Sequence, residues 1–148
     1  MASSLTKLCV LIFSFTCSVS ASDLPRVAEQ AIAARQKTMQ QDATVADVNA
    51  FLAFGTENLT YEDPVVKMKI EGRDQIRQGM VSFLGLSRRA RITITKQIVV
   101  ANLVVLDQDV SFEEKQEDNS WKPRSRHQVT ILEFEGARIR RIADYWSR

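Results

Sequence analysis

The hydrophobic pattern of this chain changes period once, near residue 89, and that change constrains the fold more than any other feature. Before it, apart from two short strand-like stretches, apolar residues recur every three or four positions, as on one face of a helix; after it they alternate, as along strands. Residues 24–41 carry Val27, Ala28, Ala31, Ile32, Ala34 and Met39 behind Pro25, whose fixed φ suits a first helical turn. Thr44 with Asp47 three residues on reads as a capping box for a second helix bearing Val45, Val48, Phe51, Leu52 and Phe54, stopped near Gly55. Residues 58–64 read as a short strand closed by Pro64, and residues 67–71 as an edge strand. Gly72 then opens a third helix through Ile76, Met80, Phe83 and Leu84 that ends before Ser87.

Four strand-like runs follow, at 90–100, 103–114, 124–134 and 137–147, with turns at Glu117–Ser120 and Glu135–Gly136. The expected architecture is α+β: three N-terminal helices packed on a curved mixed, mainly antiparallel sheet. On the run 126–134, Gln128, Thr130 and Leu132 alternate with Val129, Ile131 and Glu133, so both faces ask for cover. Helices shield one face, and a second subunit on the other makes a homodimer the expected assembly.

Residues 1–21 differ in kind. Lys7 precedes the apolar run Leu8–Phe13, and Val19-Ser20-Ala21 supplies the small residues that signal peptidase needs, so the stretch reads as a cleaved secretory signal and the destination as secreted or periplasmic. Both cysteines, Cys9 and Cys17, fall inside it. Residues 22–148 then form one domain without a thiol, which excludes a disulfide framework, a thiolate nucleophile and a Cys-ligated metal. With His127 as the only histidine, no metal or other cofactor is expected. A net charge of +2 is too small to argue for nucleic acid, and Arg138, Arg140 and Arg141 divide between two strand faces instead of forming a stripe. No membrane association is expected once the signal is removed.

The segments Tyr61-Glu62-Asp63-Pro64, Gly72-Arg73-Asp74-Gln75-Ile76, Leu132–Ile139 and Asp144-Tyr145-Trp146 resemble the SnoaL-like branch of the nuclear transport factor 2 superfamily, from about residue 25 to the C-terminus. The resemblance implies a cystatin-like α+β roll with a conical pocket, a scaffold that hosts isomerases, cyclases, epoxide hydrolases and non-catalytic binders. By similarity to ketosteroid isomerase, Asp63 matches the general base, while Met39 and Thr130 stand where that enzyme has its two oxyanion donors. By similarity to limonene epoxide hydrolase, Asp144 and Tyr61 match pocket residues, Asp63 replaces an Asn, and Gln108 and Val110 replace an Arg and an Asp. Neither site is complete.

What remains is a pair of carboxylates, Asp63 and Asp144, expected to project into the cone as candidate acid and base. Tyr61, Gln108, Arg126, Gln128, Thr130 and Trp146 are the expected ligand contacts. Alternation groups Arg140, Ile142, Asp144 and Trp146 on one face, so an internal ion pair of Asp144 with Arg126 or Arg140 is the structural alternative to catalysis. His127, Asp107 and Asp109 are expected to face away from the pocket. The implied partner is a small, largely apolar molecule with a polar group, bound by an acid–base enzyme or by a non-catalytic carrier or assembly domain.

Overall fold

The computed structural model describes residues 23–147. The expected signal segment, with both cysteines, lies outside the described residues. The element order is α1 (Leu24–Thr38), α2 (Val45–Leu52), β1 (Gly55–Asp63), β2 (Met68–Glu71), α3 (Arg73–Ser82), β3 (Ser87–Val100), β4 (Leu103–Lys115), β5 (Trp121–Glu135) and β6 (Arg138–Trp146). Among the described residues no helix is long and apolar enough to cross a membrane.

The sheet runs in the order β2-β1-β6-β5-β4-β3. All neighbours are antiparallel except β1 and β6, which pair in parallel and make the sheet mixed. Its concave face receives the helices. Along α1, Leu24, Ala28, Ala31 and Ile32 form a buried stripe at helical spacing. They join Val48, Phe51 and Leu52 of α2, Ile76 of α3, and Leu106, Leu132, Phe134, Ile139 and Ile142 of the sheet in one core. The Thr44–Asp47 capping box is formed: the Thr44 amide donates to Asp47 Oδ2 at 2.8 Å and the Asp47 amide to Thr44 Oγ1 at 3.4 Å.

The differences from the sequence reading have local causes. Helix α3 stops at Ser82, and Phe83, expected on its apolar face, is 69% exposed at the C-cap. Gly85, at φ +76°, turns the chain there, a conformation that suits a residue without Cβ. Strand β5 starts at Trp121, three residues before its expected start, and includes Pro123. Residues 121–127 pair with β4 alone, because the β6 register stops at Gln128–Trp146, and an edge tolerates a residue that cannot donate.

Register shifts interrupt β3–β4 between Arg88 and Arg91 and between Ile94 and Lys96, and β5–β6 between Glu133 and Phe134. Such bulges add twist and bend the strand that carries them. The β5–β6 bulge also reverses the side-chain alternation of β6. Ile139 is therefore buried, and Arg140 is exposed and bonded to Glu133 at 2.5 Å, not on the face of Ile142 and Asp144 where simple alternation placed it.

Candidate functional site

Asp144 lies near the end of β6, flanked by β5 on one side and β1 on the other, and its side chain has no solvent exposure. Five hydrogen bonds reach its carboxylate. Arg35 donates from Nη2 at 2.6 Å and from Nη1 at 3.2 Å, and the Tyr61 hydroxyl donates at 2.8 Å. Thr130 Oγ1 donates at 2.7 Å and Gln128 Nε2 at 3.0 Å. Gln128 Nε2 also donates to Thr130 Oγ1 at 2.9 Å, so both amide hydrogens are committed and its Oε1 is left without a partner.

Each side chain arrives by regular geometry. Thr130 stands opposite Asp144 across the β5–β6 ladder, and Gln128 is two residues along on the same face. Tyr61 comes from β1, where it pairs with Ile142. Arg35 comes from α1, where it extends the buried stripe by one further helical step beyond Ile32. Alternation had offered Arg126 or Arg140 as the partner of Asp144. The partner is Arg35, and the sequence signal for it was its position three residues after Ile32 and four after Ala31.

The cluster fixes its own protonation. Burial works to raise the Asp144 pKa, but the Arg35 charge and the hydrogen bonds from Arg35, Thr130 and Tyr61 outweigh it and hold the carboxyl below its ordinary value. Burial pushes the Tyr61 phenol far above its usual range. Burial would lower Arg35, yet the Asp144 charge beside it prevails and raises it. The result is an ionised carboxylate saturated with donors, beneath a phenol that keeps its proton. Such a group holds geometry well and accepts a further proton poorly.

Asp63 is engaged elsewhere. Its Oδ1 accepts from the Val65 and Val66 amides at 3.2 and 3.4 Å, forming the turn before β2, and its Oδ2 accepts from the Trp146 indole N–H at 2.9 Å. The Arg126 guanidinium lies over the Trp146 ring at 5.1 Å.

Gln108 is fully buried, and neither its Nε2 nor its Oε1 has a hydrogen-bond partner. It stands opposite Ile94 on one side and Gln128 on the other, with Val110 and Arg126 forming the next pair along the same face. Arg126 Nε is likewise buried and unbonded. The expected residues thus fall into two linked groups: Tyr61, Gln128, Thr130 and Asp144 are joined directly, and Asp63, Trp146 and Arg126 form a chain. Gln108 adjoins both through Gln128.

A surface depression of about 360 Å³ is lined by residues 109–111 of β4, residues 125–127 of β5 and Ser147; Gln108, Gln128, Trp146, Asp63 and Asp144 do not line it. His127 turns away from the concave face, with Nε2 2.7 Å from Asp107 Oδ1 and Nδ1 3.2 Å from Asp109 Oδ1. Among the described residues no group of three or more His, Cys, Asp or Glu is placed to hold a metal ion.

A family model described as a SnoaL-like domain matches residues 40–142, more than half of the chain. The chain belongs to the SnoaL-like family. No curated protein matches it in sequence. Its fold is similar to that of a Catenulispora acidiphila protein with a ketosteroid isomerase-like fold, solved with trimethylamine, at 22% identity and a TM-score of 0.68 over 83% of this chain and 86% of that one. It is also similar to a protein described as a SnoaL-like polyketide cyclase from Shewanella denitrificans, at 15% identity and a TM-score of 0.71 over 83% and 89%. An LEH-like epoxide hydrolase of M. tuberculosis matches at 16% identity and a TM-score of 0.63 over 82% and 84%. These likenesses establish the fold.

Proposed function

We propose that this SnoaL-like domain binds a small, largely apolar molecule whose polar group is taken by Gln108, Gln128 Oε1 and Arg126, with Trp146, Ile94 and Val110 as walls. The observation that carries the reading is Gln108, a buried amide with both polar atoms unbonded. An unsatisfied buried polar group costs about 1–3 kcal/mol, and folds retain such costs mainly at functional sites. Val110 and Arg126, the next pair along β4 and β5, line the surface depression from which a ligand would approach. Structural neighbours described as a polyketide cyclase and an epoxide hydrolase support a small-molecule role.

In this reading the Arg35–Tyr61–Asp144–Thr130 cluster is the rigid floor that aims Gln128. Five donors on Asp144 and a turn held by Asp63 support binding more than proton transfer by either carboxylate. Export under the direction of residues 1–21 is the compartment that fits, and a second copy covering Val129, Ile131 and Tyr145 is the assembly that fits.

Thermal unfolding with a panel of apolar ketones, alcohols and epoxides tests the reading, because a ligand that binds only the native state raises Tm. Gln108→Leu is expected to stabilise the ligand-free protein by about 1–3 kcal/mol, since it removes the unpaired amide at similar volume, and to abolish the ligand-induced shift. A Gln108→Leu protein that is less stable when free and still shifts with ligand overturns the assignment.

A further inference from the structure

Among the described residues, Arg126 is a charged group of the concave face that forms no salt bridge, whereas its charged neighbours are engaged. Arg35 is consumed by Asp144, with which it forms a two-pronged ion pair. Asp63 is consumed by two turn amides and the Trp146 indole. Among the described residues Arg126 makes no hydrogen bond or ion pair, and its guanidinium stacks on the face of Trp146. Burial, with the nearby Arg35 charge, lowers its pKa against the pull of Asp144, Tyr61 and Asp63. A guanidinium held in this way offers a planar fork of donors matched to two oxygens of one group. Beside it, the Gln108–Gln128 pair provides a further amide donor and two amide acceptors with nothing to bind.

We propose that the ligand of this site is an apolar carboxylate, its two oxygens received by the Arg126 guanidinium and the Gln108 amide, and its hydrocarbon part laid against Trp146, Val110 and Ile94. This assignment rests on the binding function proposed above and narrows it to one chemical class. A neutral ketone or alcohol offers a single oxygen and no charge to Arg126; a carboxylate offers the Arg126 fork and the Gln108 Nε2 donor two oxygens and a negative charge.

The test uses matched probes that differ only at the polar end: C8 to C12 straight-chain and phenylalkyl carboxylates, with the corresponding methyl esters and primary alcohols, titrated by calorimetry against the mature protein. The carboxylate is expected to bind at least tenfold more tightly than its ester or alcohol, and its advantage is expected to vanish as pH falls through the pKa of the acid. Arg126→Gln should erase the preference of the acid over its ester and alcohol, and Arg126→Lys should restore part of it. Equal or weaker binding of the acid, with ester or alcohol still bound, removes the carboxylate assignment and leaves the binding function standing. No binding of any probe, together with no change in free-protein stability in Gln108→Leu, removes both.

Discussion

Asp144→Asn is expected to destabilise the domain by about 3–5 kcal/mol, a large share of the roughly 5–15 kcal/mol that holds a typical domain folded. The cost comes less from the lost carboxylate than from what it leaves behind. The Arg35 guanidinium, only 14% exposed, would remain inside the fold with no negative partner. Urea unfolding of Arg35→Met, Asp144→Asn and the double variant checks the point. The double variant should lose far less than the sum of the singles, because removing both charges leaves neither stranded. Additive losses would show that the pair is not a unit.

The same ion pair sets a pH dependence with a defined sign. The Asp144 pKa is depressed in the folded state below its ordinary value of 3.8, so the stability it contributes is complete above that value. It disappears as acid carries the carboxylate through its lower folded-state pKa. Below about pH 4 the wild-type protein should therefore lose stability more steeply than Asp144→Asn, and the two curves should converge.

Leu106→Ala carries the second large effect, about 2–5 kcal/mol, since Leu106 is fully buried in the core that α1 shares and stands beside Thr130. Val99→Ala, at a position 40% exposed, should change stability by less than about 1 kcal/mol. Denaturant midpoints of the two variants distinguish a core between α1 and β4 from a sheet whose strands contribute equally along their length.

The sequence made some of this architecture readable and concealed the rest for identifiable reasons. Helix and strand identity followed from the period of the apolar residues, and the α2 start from Thr44 and Asp47, because those signals are local. The grouping of Gln128, Thr130 and Asp144 followed from strand alternation, which holds wherever a ladder is uninterrupted. It failed at Arg140, where an extra residue in β6 reverses the faces, and no residue in Glu133–Arg141 marks that bulge. Arg35 escaped because its role depends on which side of α1 meets which strand, a matter of packing between residues 109 positions apart. Asp63 was visible as a turn residue before Pro64, but its bond to the Trp146 indole needed the parallel alignment of β1 with β6.

That alignment places the first strand to be synthesised and the last side by side in the interior of the sheet. Loop closure between partners so distant in sequence is slow, and nothing compensates for it until both are present. A growing polypeptide can form its helices and the β3–β4 and β4–β5 hairpins as they emerge from the ribosome, but β1 has no permanent neighbour on its inner side until Arg138–Trp146 has been translated. Native structure is thus completed in one late step, and the half-made molecule stays pliable until then.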